Sequence, residues 1–367
     1  MTSSTDMNAG ELNKNGGGIE SVPRQTVRLE EIKQREQALN RLLDAVREEK
    51  REALLSKPLN IGIIGFGRFG QFMARTFVKH GRVVVTSRTD YSDIAQGMGV
   101  TYIPLSNPTA FLKENLDVVI MATSIVSFEE TLTTFASDLH NFLTSMRKVE
   151  DEKDIKHLPE DLSLHHRVRL PLIVDVLSVK EHPREIMLNV LPEECDILCT
   201  HPMFGPDSGK FSWEGLNFVY ERTRVHGIVF DGSSDPTNES LYASRKSSLE
   251  YIERLDRLER FLSIWEEEGC RMVELSCKEH DAYAANSQFI THLMGRILGE
   301  QGLQSTPIDT KGFESVLKLV GTTTADSFDL FFGLYKYNQN SMDTIIKLRS
   351  SMEDVVRKLK EMENVDS

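Results

Sequence analysis

The run Leu59-Asn60-Ile61-Gly62-Ile63-Ile64, followed at once by Gly65-Phe66-Gly67-Arg68-Phe69-Gly70, decides how this chain is read. A short apolar, β-branched run predicts a strand, and the amphipathic stretch from the glycines to Val78 predicts a helix. Between strand and helix, the first glycine of such a triplet makes the tight turn. The second lets the backbone approach a pyrophosphate, and the third lets helix and strand pack closely. The helix start adds unpaired N–H groups and a partial positive charge. Gly65, Gly67 and Gly70, with Arg68 and Phe69 between them, are therefore expected to hold a dinucleotide. The plain alternative is a glycine-rich turn that binds nothing.

Working outward, a second apolar run, Val83 to Thr86, leads into Ser87-Arg88-Thr89-Asp90. An acidic residue here would hold the 2′-hydroxyl of NAD, whereas an arginine fork beside a hydroxyl suits a 2′-phosphate. Ser87 and Arg88 thus point to NADP, with Asp90 able to take the acidic role if the strand ends two residues later. A third run, Val118 to Ala122, places Thr123 at the same end of the sheet. Further strands are expected at Leu172 to Val176, Ile197 to Thr200 and Asn217 to Tyr220. Strands alternating with helices predict an α/β protein with a Rossmann-type doubly wound sheet. After Leu249 strand signals nearly vanish, which predicts an all-α C-terminal domain.

The expected organisation is a disordered tail over 1–24, a helical extension over 25–57 ending before Pro58, and a dinucleotide-binding domain over 58–226. An insertion follows at 227–248, then a helical substrate and dimerisation domain over 249–367. Charged Arg147 to Arg169 reads as a surface insertion. The 43 basic against 56 acidic residues give a net charge of −13, which argues against nucleic acid as a partner. No apolar run reaches the roughly 18 residues of a membrane span. Cys195, Cys199, Cys270 and Cys277 show no C-x-x-C pair, so they read as reduced thiols and no metal is expected. Asp6, Glu11, Glu20 and Glu30 make the N-terminus unlike a transit peptide, so a cytoplasmic location is expected, with the plastid stroma as the alternative.

Four later motifs narrow the chemistry: Val174-Asp175-Val176-Leu177-Ser178-Val179-Lys180, His201-Pro202-Met203-Phe204-Gly205-Pro206, Ser287-Gln288-Phe289-Ile290-Thr291-His292 and Thr306-Pro307-Ile308-Asp309-Thr310-Lys311-Gly312-Phe313. In this order, over about Leu59 to Asn338, they resemble the plant-type arogenate/prephenate dehydrogenases. The resemblance implies an NADP-dependent oxidative decarboxylation of a cyclohexadiene, and a homodimer. It implies His201 as acceptor of the C4-hydroxyl proton and Ser178 as a hydrogen-bonding partner of that hydroxyl. It also implies Gln288, Thr310 and Lys311 as substrate contacts, with His292 and Asp309 nearby. Asp326, just before Ser327-Phe328-Asp329-Leu330, is similar to arogenate-preferring members, because a carboxylate favours the ammonium of arogenate over the ketone of prephenate. Blander readings exist: Ser178 as a cap for a helix over Val179–Leu188, Asp326 as the cap of a helix near Ser327, His280 and Asp281 as helix-surface residues or caps. Competing functions are a prephenate dehydrogenase giving 4-hydroxyphenylpyruvate, another two-domain NADP dehydrogenase, and a non-catalytic NADP-binding regulator.

Overall fold

The structure is a computed structural model that describes residues 24–152, 170–229 and 248–365. The expected tail and most of both insertions lie outside the described residues. The chain divides into two compact units, with the boundary after Ala53. The first holds most of one continuous helix, α1 (Arg24–Leu55). It stops before Pro58, whose ring disfavours helical backbone at the preceding residue.

The second unit opens with the parallel sheet: β1 (Leu59–Ile64), α2 (Arg68–Phe77), β2 (Gly81–Thr86), α3 (Ser92–Gly97), β3 (Thr101–Tyr102), α4 (Pro108–Leu112) and β4 (Val118–Met121). It continues with α5 (Phe128–Glu152), β5 (Leu172–Asp175), α6 (Glu181–Val190), β6 (Asp196–Pro202), β7 (Asn217–Val225) and β8 (Ile228–Val229). The strand order is β3-β2-β1-β4-β5-β6-β7-β8, so the direction of winding reverses between β1 and β4. β1 to β6 are parallel, and β7 turns back antiparallel against β6.

Strand alternation builds a core on each face. Ile61, Ile63, Val83, Val85, Val118, Ile120 and Val174 point to one side, while Ile64, Val84, Val119, Met121, Ile173 and Ile197 point to the other. Both faces are covered, which is why these strands read as continuous apolar runs rather than alternating ones.

The structure corrects the expected boundary at 249. Helix α7 (Leu249–Glu267) packs Leu258, Phe261, Leu262 and Trp265 into the first core, and β9 (Arg271–Glu274) pairs parallel to β7. The sheet and its covering layer therefore continue past the insertion. The strand was invisible because Arg271 and Glu274 bracket only two apolar residues on a half-exposed edge. Beyond it the chain is helical: α8 (Cys277–Ala284), α9 (Ile290–Glu300), α10 (Lys311–Ala325), α11 (Phe328–Tyr337) and α12 (Ser341–Val365). Phe289 and Leu334 of this part join the second core, so the helices share the sheet's hydrophobic interior.

Trp265 anchors α7: it is fully buried, stacks on Trp213 and Phe218 and meets Phe77 edge-on. Trp265→Ala should cost about 3–5 kcal/mol, the usual loss for emptying a large aromatic site, read from denaturant unfolding. A cost below 1 kcal/mol would place α7 outside the scaffold's core.

Candidate active site

The carboxyl ends of β1, β4, β5 and β6 open on one cavity of about 590 Å³, closed on its far side by α9 and the α10–α11 turn. This is the crevice where winding reverses, the usual ligand site of an open α/β sheet. Its walls include Gly67, Arg68 and Phe69 after β1, Thr123 after β4, Ser178 after β5 and His201 on β6, with Gln288, His292 and Asp326 opposite.

The three glycines differ in what a side chain would meet. Gly65 has φ +102°, and a Cβ there would meet the Ala122 carbonyl oxygen at 2.5 Å. At Gly70 a Cβ would lie 2.1 Å from the Gly65 carbonyl oxygen, so helix and turn could not close. Gly67 differs: a Cβ would meet nothing within 4 Å. Gly67 also begins α2 with no side-chain cap, and the Thr123 hydroxyl is buried without a partner. An open glycine, an uncapped helix start and an unpaired hydroxyl fit the diphosphate of a dinucleotide. Arg68 reaches Asp207 at 3.2 Å across the rim, an exposed pair that adds little stability.

At the ends of β1 and β2 a smaller cavity of about 150 Å³ is lined by residues that include Ile64, Thr86, Arg88 and Leu105, with the acidic Glu130 and Asp138 of α5 on its wall. The Tyr102 hydroxyl lies within hydrogen-bonding distance of the Ser87 and Thr89 carbonyls, at 3.3 and 3.2 Å, and shares its one proton between them. Strand β2 stops at Thr86, and the Asp90 carboxylate accepts the Ser92 N–H at 2.9 Å. That bond holds Asp90 below the ordinary carboxyl range and commits it to the start of α3.

His201 is buried, and its Nδ1 lies 2.8 Å from Nε2 of His280, whose Nδ1 lies 2.8 Å from Oδ1 of Asp281. Burial, then His280 and the Lys180 ammonium, push the His201 imidazole well below its ordinary pKa. A neutral ring at pH 7 can accept a proton. Lys180 is itself buried, with its ammonium on the Asp175 carboxylate and the Thr200 carbonyl.

Helix α6 begins at Glu181, later than expected, and its first N–H groups are capped from elsewhere. Asp281 Oδ1 accepts from Lys180 N at 2.8 Å, and Oδ2 from Glu181 N at 2.9 Å. Ser178 is thus outside the cap and on the cavity wall. His280 and Asp281, expected on a helix surface or as caps, are instead almost fully buried, and Asp281 caps a helix other than its own. The missed signal was spacing: Cys277, His280, Asp281 and Ala284 form the buried face of α8, so two polar residues sit on a core stripe.

Between α8 and α9 the backbone takes a π turn over Ala285–Phe289. Such one-residue insertions recur at functional sites because they re-aim the side chains beyond them. Gln288 Oε1 and His292 Nδ1 are buried without hydrogen-bond partners and line the cavity. Burial lowers the His292 pKa, with Asp326 opposing, and Asp326 Oδ2 stands 3.9 Å away, beyond hydrogen-bond reach. The helix after Asp326 is capped by Ser327, whose hydroxyl accepts the Leu330 N–H. The Asp326 carboxylate is therefore not the cap. Arg296 braces this turn, donating to the Asp326 and Ser327 carbonyls while its guanidinium lies over Phe331.

Thr310, Lys311 and Asp309 do not reach this cavity within one chain. Thr310 caps α10 by accepting the Phe313 N–H, Lys311 is 92% exposed on Glu314, and Asp309 closes a turn with Ser305 and Thr306. One acid–thiol group does assemble among the described residues: Cys199, Glu221 and Cys277, within 4.8 Å of one another. Glu221 is committed to Arg184 and the Cys277 N–H, and the hydrogen bond to Cys199 together with burial pushes the Cys277 thiol up. The group reads as packing.

Gly67→Ala should leave thermal unfolding unchanged while weakening dinucleotide binding, followed by fluorescence titration; Gly70→Ala should lower both. Equal unfolding temperatures for the two variants would contradict the division of roles among these glycines.

Two family models match parts of the chain: one described as NADP oxidoreductase coenzyme F420-dependent, over residues 60–144, and one described as TYRAAT1-like, C-terminal domain, over residues 297–367. Arogenate dehydrogenase 2, chloroplastic, of Arabidopsis thaliana is 41% identical over 319 residues, 87% of this chain and 75% of the relative. Arogenate dehydrogenase 1, chloroplastic, of the same plant is 43% identical over 302 residues, 82% of this chain and 39% of the relative. The fold is similar to the crystal structure of prephenate dehydrogenase from A. aeolicus in complex with hydroxyphenyl propionate and NAD+, with TM-score 0.54 at 16% identity, covering 83% of this chain and 93% of that one. At 41% identity over 87% of its length to the first of these relatives, the chain belongs to the arogenate/prephenate dehydrogenase family of oxidoreductases, built on a Rossmann-type NAD(P)-binding fold.

Proposed function

We propose that the chain catalyses the NADP-dependent oxidative decarboxylation of L-arogenate to L-tyrosine. The observation that carries the substrate is the Asp326 carboxylate, released from capping by Ser327 and lining the same cavity as Ser178 and His201. Arogenate differs from prephenate by an ammonium in place of a ketone, and a carboxylate at the wall favours the cation. When bound, the nicotinamide supplies the hydride acceptor. His201 takes the proton of the C4 hydroxyl, Ser178 hydrogen-bonds that hydroxyl, and loss of the ring carboxylate as carbon dioxide leaves an aromatic ring. Gln288 and His292 offer buried, unpaired polar atoms to the remaining groups.

Arg88 at the rim of the smaller cavity, with Asp90 committed to α3, supports a 2′-phosphate over a free ribose hydroxyl. Along α12, Ile346, Met352, Val355, Val356, Leu359 and Met362 are exposed, which supports a homodimer through the helical part. The chloroplastic names of both relatives favour the plastid stroma over the cytoplasm.

Initial rates with arogenate and prephenate, each against NADP and NAD, test this reading in one preparation. Arogenate with NADP should be the fastest pair. Asp326→Asn should shift the substrate ratio toward prephenate by about 10-fold or more, the scale of one charge-assisted hydrogen bond. Arg88→Ala should raise KM for NADP far more than for NAD. An unchanged substrate ratio in Asp326→Asn would overturn the choice of arogenate, and equal cofactor effects would overturn NADP.

A further inference from the structure

Two imidazoles and a carboxylate stand in line behind the cavity, and their valences allow one arrangement. The Asp281 carboxylate can only accept, so Nδ1 of His280, 2.8 Å from Oδ1, carries the proton it donates. With one proton per ring, Nε2 of His280 then presents a lone pair. His201 Nδ1, 2.8 Å from that lone pair, must in turn carry a proton and donate it. Only Nε2 of His201 remains as an acceptor, on a ring that lines the cavity.

We propose that His280 and Asp281 are positioning residues for the reaction, fixing His201 as the Nδ1–H tautomer so that its Nε2 lone pair meets the substrate hydroxyl. This rests on the functional reading above. The alternative tautomer would place an N–H where the base must be, and an inverted tautomer is a known route to losing about 10⁴-fold in turnover at a hydroxyl-activating histidine.

The line is held at both ends. Asp281 is fully buried, and its two oxygens accept the first N–H groups of α6, three residues beyond Ser178. Its backbone carbonyl accepts from Asn338 at the end of α11. One aspartate therefore fixes the orientation of the His201 ring and the position of the Ser178 loop together. Neither His280 nor Asp281 lines the cavity, so their influence passes through His201 and the α6 start.

The charged and titratable groups around His201 include His280 and Asp281 on α8, Lys180 with its partner Asp175 at the β5–α6 loop, His292 with Asp326 across the cavity, and Arg68 with Asp207 at its rim. His280 and Lys180 both depress the His201 pKa beyond the effect of burial. The acid limb of kcat/KM should accordingly fall below the ordinary histidine range of about 6.5.

Nitrogen-15 NMR of ring-labelled histidine in the full chain tests the tautomer without substrate. His201 protonated at Nδ1 is expected, and protonation at Nε2 overturns the proposal. In kinetics, His280→Leu removes the acceptor and should lower kcat by about 100-fold or more with little change in KM. His280→Gln keeps an acceptor oxygen and should recover activity to within about 10-fold of wild type. Equal loss in both variants, or loss in neither, overturns the proposal. If His280→Leu does not fold, the glutamine variant and the NMR result still decide it. If wild type fails to oxidise arogenate, the assigned substrate falls, while the NMR measurement still decides the tautomer.

Discussion

The Asp281 carboxylate is the constraint on which the site depends. It is fully buried, and a buried carboxylate is costly unless donors meet its oxygens. Here the donors are Lys180 N, Glu181 N and the His280 ring, drawn from two separate segments of chain. Losing any of them would leave a costly unpaired charge, so the carboxylate forces α8 against the start of α6. The helical part is thereby registered on the sheet at the place where Ser178 and His201 emerge.

Three buried polar groups without partners gather on the wall of one cavity. Thr123 Oγ1, Gln288 Oε1 and His292 Nδ1 are buried without partners and line one cavity. Each would be expensive to leave unsatisfied in a folded interior. Their convergence, opposite an uncapped helix start, indicates a site shaped for a polar ligand rather than a packing flaw. The buried Lys180–Asp175 pair beneath has a different part. It neutralises the interior under β5 and β6 while adding positive potential next to His201, which helps keep that imidazole uncharged.

Much of the sheet was legible in the sequence, because doubly covered strands are apolar throughout and glycine chemistry marks the β1–α2 turn without ambiguity. Ser178, His201, Gln288 and Asp326 could be named from their motifs, and all four line the cavity. What could not be read was set by tertiary partners. Strand β9 has two apolar residues and exists because β7 offers an edge. Helix α7 looked like the start of another domain because amphipathicity tells which face is buried, not against what. His280 and Asp281 looked like surface polar residues since their partners lie 79 and 100 positions away in the chain. Thr310 and Lys311 lie outside this cavity within one chain, the first with its hydroxyl capping α10 and the second exposed beside Glu314.

Replacing the central carboxylate tests this account most directly. Asp281→Ala leaves two backbone N–H groups and one imidazole N–H without their acceptor, at about 1–3 kcal/mol each. Denaturant unfolding should show a loss of about 3 kcal/mol or more, and turnover measured under native conditions should fall with it. A variant that unfolds at the wild-type midpoint and turns over at the wild-type rate would contradict the claim that Asp281 joins the fold to the site.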